Sequence, residues 1–561
     1  MTLADSKTPT TDQPRSGSPA RAPVLLGTLI LVAAVANLNL TVANVALPSI
    51  GQTFDASQVA LNMIAVGYSL GLAASVLWFG ALGDRYGRKL MLVLGLALAV
   101  PASLVAGFAP SPEILFLARV TGGLSAGLTY PTTLALITAL WTGPARTRAI
   151  ALWAALGSGS AVLGPVVSGI LLEFFAWGSV FLVTIPVALI ALYLVWRYVP
   201  AGVGESSARV DNLGGLLSAV AIGALVVGLN FIAVPKLQAI AIALLGVTAI
   251  GLVLFVVRQR RATNPLYDLD IAARPTFWVA AVAGIIVFGS LMGVLFINQQ
   301  YLQNVLDYGT LGAGLAIVPA AVMMIIVAPR SAALVQQYGS RATLLLGQTF
   351  LALAFVAMFF LWSDGTPYWV VVIPLLLMGL GVGFAQTPSS NSLTASVPIR
   401  RVGMASGTAD LQRDLGGALM TSIFGALLTA GYAASMGAAI SASGEDVTAQ
   451  TQSQLQLSYA SAANLAAANP QYGDQIIAAA ESSFLDGDEL AYIAGFVAVL
   501  IGAAIVFFRY PRKDDEERAR AAYHAEDEAG ANPADTGAAG STGTSAADAL
   551  DSKKREDPDA Q

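Results

Sequence analysis

Stretches of about 20 apolar residues recur along almost the whole of this sequence, and that recurrence leaves few folds open. Twenty residues of α-helix reach about 30 Å, the thickness of bilayer hydrocarbon. A backbone in that medium must satisfy its own hydrogen bonds, so each run reads as a membrane-spanning helix. Fourteen spans are read, near 24–50, 59–80, 89–109, 112–140, 148–172, 177–198, 212–234, 237–257, 276–303, 310–330, 342–362, 367–390, 402–433 and 490–508. Only 11% of the residues are charged, against about 25% in a soluble protein. The expected fold class is an all-α polytopic membrane protein. The first run has no small-residue cleavage site after it, so it reads as a span rather than a removable signal peptide.

Residues 1–22 are rich in Ser, Thr and Pro and are expected to be disordered, as is the Ala-, Asp-, Glu- and Gly-rich tail 510–561. Basic residues gather on the connections after even-numbered spans: Arg85, Arg88 and Lys89; Arg146 and Arg148; Arg258, Arg260 and Arg261; Arg330 and Arg341; Arg400 and Arg401. Arg509, Arg512 and Lys513 follow the last span, whereas Lys236 alone stands on an odd connection. The positive-inside rule then places both termini in the cytoplasm of a cell-membrane protein. Segment 434–489, without Lys or Arg, becomes an external and mildly acidic loop carrying Glu445, Asp446, Asp474, Asp486 and Asp488.

There is no cysteine, and the one histidine is His524 in the tail. Disulfides, thiolate nucleophiles, thiolate metal sites and most histidine chemistry are thereby excluded. No Walker-type phosphate loop is present. No catalytic residue, metal or cofactor is expected, and nothing suggests nucleic-acid binding.

An internal repeat is visible. LGDRYGRKLMLVLG (82–95) aligns with LVQQYGSRATLLLG (334–347) at six of fourteen positions and an offset of 252 residues. Related halves are how many transporters are built. The first span adds polar residues inside its apolar run, in NLNLTVANVALP (37–48). At 100° per residue, Asn37, Thr41 and Asn44 fall on one face and Asn39 near the opposite one. An amide facing lipid is costly, so both faces are expected to meet water or protein. Lining a wet cavity and hydrogen bonding between helices both remain open for these residues.

GALGDRYGRK (80–89) resembles the signature loop between spans 2 and 3 of the major facilitator superfamily. Gly80 and Gly87 permit close helix approach and a tight turn. Asp84, Arg85 and Arg88 would form a latch that closes the cytoplasmic side in one state; an anchor of basic residues that only sets topology is the other reading. LNLTVANVALPSI (38–50), ARVTGGLSAGLTYP (118–131) with Arg119, and LGPVVSG (163–169) with Gly164, Pro165 and Gly169 resemble motifs of the fourteen-span drug:proton antiporters. QQYLQNVLDYGTLGAGLAIVPAA (299–321) and RVGMASGTADLQRDLGGAL (401–419) are similar to spans 9 and 13 of the same family. The resemblance implies a major facilitator fold of two six-helix bundles, 23–200 and 263–509, with two inserted spans in 201–262. The chain departs from that family at Asn39, where the motif has aspartate, at Gly122 and Ser125, where it has glutamine and glycine, and at Ser160 and Ser168, where it has glycine. An amide cannot carry a proton, so Asn39 puts coupling through the first span in doubt.

Membrane-embedded acids are therefore sought elsewhere. Asp410, Arg413 and Asp414 are spaced i, i+3, i+4 and share a helix face. Asp410 stands about 13 Å into span 13 at 1.5 Å per residue. Charged groups at such depth are rare and functional by default. One of the two aspartates would carry a proton, the other reading being a static Arg–Asp pair. Arg119 would bind an anionic group, tune an acid, or pair with Asp84. Gln300 and Gln303 would line an external vestibule or bond helix to helix. The resemblance implies an exporter of amphipathic or hydrophobic small molecules, working by alternating access against protons as a monomer in the bilayer. The alternatives are an exporter of an endogenous metabolite, lipid or amino acid with altered coupling, and a non-transporting scaffold.

Overall fold

The computed structural model of the chain describes residues 18, 19, 21–54, 58–203, 210–232, 237–398, 401–443 and 447–529. The expected disorder of 1–17 and 530–561, the connection residues Lys236 and Arg400, the acidic pair Glu445 and Asp446, and the Asn44 side chain lie outside what is described. The described chain is helical throughout. The first half holds α1 (Ala22–Phe54), α2 (Gln58–Tyr86), α3 (Arg88–Gly107), α4 (Pro112–Leu140), α5 (Gly143–Phe174), the short α6 (Ser179–Leu182) and α7 (Thr184–Tyr198). Then come α8 (Asn212–Ile232), α9 (Gln238–Arg261), the short α10 (Leu269–Ala272), α11 (Pro275–Asn304), α12 (Thr310–Ala316), α13 (Val318–Leu361), α14 (Tyr368–Ala395) and α15 (Val402–Ser443). Last are α16 (Ala449–Leu455), α17 (Tyr459–Ala468), α18 (Gly473–Arg509) and α19 (Lys513–Ala529).

Among the described residues, twelve helices are long and apolar enough to cross a membrane. The expected count of fourteen is not reached. Spans 10 and 11 lie in one apolar stretch of 51 residues, Leu311–Leu361, because the helix restarts immediately after a break at Gly339. The fifth span lies in α5, a continuous helix from Gly143 to Phe174, whose described apolar part is Leu163–Phe174.

Helices α1 to α7 pack among themselves, as do α11, α13, α14, α15 and α18, while the α8–α9 hairpin lies on α2 and touches α15. Lipid offers no hydrophobic drive between such helices, so small residues decide how closely they approach. At the α2–α4 crossing the backbones touch: a Cβ on Gly71 would stand 2.2 Å from the Val120 carbonyl oxygen, and one on Gly123 2.1 Å from that of Tyr68. Large apolar side chains are left on the outside instead, among them Phe108, Trp196, Ile242, Val253, Phe360 and Phe508.

The two aligned segments share a local geometry. Gly87 (φ 99°) and Gly339 (φ 84°) each break the chain between two helices in a conformation other residues rarely adopt. Eight residues on, Gly95 packs on Ser125 and Thr129 of α4, and Gly347 packs on Gly381 and Ala385 of α14. These pairs keep the offset of 252 residues.

Two segments hold more helix than expected, the short helices within 434–489 apart. The region 434–489 is largely helical: α15 runs on to Ser443, α18 already starts at Gly473, and α16 and α17 lie between them. Thr448 and Ser458 cap those two short helices by accepting from Thr451 N at 3.2 Å and Ser461 N at 3.1 Å. The tail is not wholly disordered either. Residues 513–529 form α19, and its Glu516 is buried against the break in α13.

Candidate functional site

The groups meet between α1, α4, α5 and α15. Asn37 on α1 donates to the Gly157 carbonyl of α5 at 2.8 Å and to the Tyr130 hydroxyl of α4 at 3.5 Å. The same hydroxyl accepts from the Arg413 guanidinium of α15, which also lies over the Tyr130 ring, 4.0 Å from its centroid. Trp153 of α5 leans on that ring at 5.3 Å and donates to Thr133 Oγ1 at 2.9 Å. Tyr130 thus joins a cation of one helix group to an amide of the other.

Asp410 and Asp414 stand on either side of Arg413, and both lie within its electrostatic reach. Neither closes an ion pair with it. Asp410 is 1% exposed, and in each carboxylate the buried Oδ2 accepts no hydrogen bond. Arg413 is committed to Tyr130, leaving two carboxylates beside a partly spoken-for cation.

The opposite face of α1 is engaged differently. Asn39 donates to Val35 O at 3.0 Å and accepts from Ser103 Oγ of α3 at 3.5 Å, and Ser103 meets Thr184 of α7 at 3.1 Å. A small void there is lined by Asn39, Tyr68, Ser103, Gly122, Ser125 and Thr129. Arg119 donates to the Asn39 and Leu40 carbonyls at 2.5 and 3.2 Å and lies over the Tyr68 ring at 4.8 Å. It is thus held on the backbone of α1 and does not reach Asp84. Thr41 returns its hydroxyl to Asn37 O at 3.2 Å, and Gly164 lies so near that a Cβ would stand 2.0 Å from Thr41 Oγ1. Ser168 donates to Val42 O at 2.9 Å, so the motif of α5 packs directly on the polar turn of α1. Pro165 meets Gly314 of α12, and Gly169 faces Leu311, which ties the same motif to the second helix group.

At the far end of α2, Asp84 Oδ1 accepts from Arg88 Nη2 at 2.9 Å, and Asp84 Oδ2 accepts from the Gly403 N–H of α15 at 2.9 Å. A carboxylate at a helix N-terminus is favoured by the unsatisfied N–H groups there. Gly80 makes room: a Cβ on it would stand 2.7 Å from Gly403 O. Gly87 restarts the chain as α3, and Arg88 also donates to Ala135 O at 3.2 Å. Arg85 lies over the Tyr86 ring at the surface. The predicted cluster thus comes together and ties the two helix groups at this end.

Gln300 and Gln303 lie half-buried near the other end of α11, where Gln300 folds back on Phe296 O at 3.5 Å. Three residues that sequence reasoning passed over belong with the rest. Tyr130 lies within the fourth-span motif, but an aromatic at helical spacing reads as packing. Gln386 of α14 donates to the Ala154 carbonyl of α5 at 3.2 Å and bridges the groups. Asp488, expected in the external loop, is fully buried on α18 and accepts from Tyr492 at 3.3 Å through one oxygen only.

The family model described as Major Facilitator Superfamily matches residues 29–421. The chain belongs to the major facilitator superfamily. It is therefore a multi-pass membrane transporter rather than an enzyme. It is similar to the multidrug efflux pump LfrA of Mycolicibacterium smegmatis, 32% identical over 88% of this chain and 97% of that protein. It is also similar to the multidrug resistance protein Stp of Mycobacterium tuberculosis, 34% identical over 71% of this chain and 74% of that one. The methyl viologen resistance protein SmvA of Salmonella typhimurium is 30% identical over 85% of this chain and 96% of its own length. Among solved structures, the human organic anion transporter MFSD10 aligns with a TM-score of 0.54 at 14% identity, covering 86% of this chain and 97% of that one. A bacterial homologue of the lysosomal transporter Spinster aligns with a TM-score of 0.52 at 18% identity, covering 89% and 97%. These two likenesses bear on the fold alone.

Proposed function

We propose that this protein is a secondary active transporter that exports amphipathic or hydrophobic compounds, drugs or toxins among them, by alternating access and in exchange for protons. The observation that carries it is the junction at Tyr130. Arg413 of one helix group is held by an oxygen of the other, with two carboxylates beside it that lack full pairing. Protonating Asp410 or Asp414 would change the charge facing Arg413. That would change how firmly Arg413 holds Tyr130, and with it the contact between the groups. The names of LfrA, Stp and SmvA support drugs and organic cations as the cargo.

In this reading the chain crosses the bilayer fourteen times, with Leu311–Leu361 crossing twice about the break at Gly339 and α5 crossing once. At about 1.5 Å per residue, 51 helical residues reach well over twice the hydrocarbon thickness. Two six-helix bundles flank the α8–α9 pair, both termini are cytoplasmic, the protein acts as a monomer, and Asp84 with Gly80, Gly87, Arg85 and Arg88 latches the cytoplasmic side. Substrate would pass between the bundles beside Asn37 and Thr41.

The test is reconstitution in liposomes under an imposed pH gradient. Asp410→Asn and Asp414→Asn are each compared with the parent for dye counterflow and for proton movement. One of the two is expected to lose gradient-driven transport by at least tenfold while substrate still exchanges without a gradient. Full coupling in both variants would refute proton carriage at this site. A second reading keeps the transporter and changes its cargo to an endogenous metabolite. The neutral Asn39, bonded to Ser103 instead of facing Tyr130, favours it. Build-up of one cellular compound on deletion, without altered drug susceptibility, would decide for it.

A further inference from the structure

The first copy of the repeat carries its own acid and base, Asp84 and Arg88, on either side of Gly87. At the offset of 252 residues, the matching positions of the second copy are Gln336 and Ser340, on either side of Gly339. Neither side chain is charged. The contact between helix groups survives there in a weaker form, with Gln336 donating to Pro144 O at the start of α5 at 3.4 Å. That bond is neutral, whereas Asp84 makes a charge-assisted one to Gly403, and such bonds are roughly twice as strong.

A carboxylate is nonetheless present at the second break. Glu516 of α19 accepts from the Ser340 N–H at 3.1 Å, the donor freed where the helix restarts after Gly339. Its other oxygen lies 2.5 Å from the Arg520 guanidinium and accepts from the Tyr510 hydroxyl at 3.1 Å. Arg520 in turn faces Ser340 Oγ at 3.5 Å and Ser392 Oγ of α14 at 3.4 Å, and Tyr510 meets Ser392 at 2.6 Å. Lys513 fills the space beside Gly339, where an added Cβ would stand 3.0 Å from its own, and donates to Gln337 O at 3.2 Å. The Arg274 guanidinium, just before α11, lies 4.2 Å over the Tyr523 ring. The helix therefore touches the start of α11, the break in α13 and the end of α14 together. Its sequence, KDDEERARAAYHAEDEA, offers little apolar surface, so directed polar contacts are what hold it. Glu516 is 3% exposed, whereas Arg518 two residues on lies open to solvent with a side chain 77% exposed.

We propose that Glu516 and Arg520 are positioning residues: from the C-terminal helix they supply the acid and base that the second copy lacks at 336 and 340, and so hold α13 at its Gly339 break in the closed arrangement. The first half would latch itself, and the second would be latched by a detachable segment. Release of α19 would loosen that break without touching the junction at Tyr130. This rests on the alternating-access reading only for its consequence in transport; the latch itself is a statement about local stability.

The test is hydrogen–deuterium exchange on the full-length protein in nanodiscs, with dye counterflow measured on the same preparations. In the parent, peptides covering 513–529 and 338–345 are expected to be protected together. Glu516→Gln keeps the shape and removes the charge. It is expected to speed exchange in both peptides at least tenfold and to shift the counterflow rate by severalfold. Returning the pair to the second copy, Gln336→Asp with Ser340→Arg in the Glu516→Gln background, is expected to restore protection at 338–345 while 513–529 stays loose. A purely structural tail would give no such rescue. Unprotected 513–529 in the parent, or unchanged exchange at 338–345 in Glu516→Gln, overturns the proposal. Lost protection with unchanged counterflow overturns its role in gating. A parent protein that moves no dye, with the exchange pattern intact, would instead sink the efflux reading and leave the latch standing.

Discussion

Tyr130 concentrates more of the proposed mechanism than any motif residue, because one oxygen accepts from both Asn37 and Arg413. Tyr130→Phe keeps the ring under the guanidinium and removes only that acceptor. A buried hydrogen bond to a charged group is worth about 1.5–3 kcal/mol, so the substitution is expected to slow counterflow about 10- to 100-fold while the protein still folds. Counterflow at the parent rate would show that the contact between groups does not matter for transport. Half of this site was legible in advance. Helical geometry alone placed Asn37 and Asn39 on opposite faces of α1, and they indeed bond to different neighbours, Tyr130 with Gly157 on one side and Ser103 on the other. The spacing of Asp410, Arg413 and Asp414 likewise exposed a charged face. What could not be read was the partner of Arg413. Tyr130 stands 283 residues away, and no local pattern encodes which of several aromatic residues a guanidinium will meet.

Among elements, the α2–α4 pair shows how little a membrane fold leans on side-chain bulk. Gly71 and Gly123 let two backbones meet, and each occupies a place where a methyl group would strike a backbone atom at 2.1–2.2 Å. Gly123→Ala is expected to push the helices apart and destabilise the protein by about 1–3 kcal/mol, the usual range for overpacking. Thermal unfolding in detergent would register it as a lower midpoint, and an unchanged midpoint would mean that the crossing is looser than described. The element boundaries explain most departures from the sequence reading. Apolar runs mark where lipid must be met, but α15 and α18 continue as helices beyond the bilayer length, because Ala-rich segments hold helical structure in water as well. The same reading made 513–529 a disordered tail. Its charged composition gives no apolar face, and only the buried partners Ser340, Ser392 and Tyr510 explain why it is ordered.

For the whole molecule, the proposed alternating-access cycle requires the two helix groups to rock against each other, and the contacts between them should therefore break in turn. Those contacts run the length of the interface: Asp84 with Gly403 at one end, Arg413 with Tyr130 and Gln386 with Ala154 midway, and Pro165 with Gly314 beyond. The α5–α13 seam offers the cleanest test, because the chain contains no cysteine and needs no background substitutions. A Cβ built on Gly159 of α5 lies 3.6 Å from Ile325 Cγ1 of α13, so side chains at the two positions face each other across the seam. In Gly159→Cys with Ile325→Cys, oxidant is expected to cross-link the seam and cut counterflow at least tenfold, and reductant to restore it. Each single variant should ignore the oxidant, which separates the cross-link from the cost of placing a side chain at Gly159. Substrate binding to the oxidised protein should persist, since the bond freezes one arrangement without filling the path beside Asn37. If the cross-linked protein moved dye at its reduced rate, the groups would not part along α5 and α13, and the rocking motion would have to be sought about a different seam.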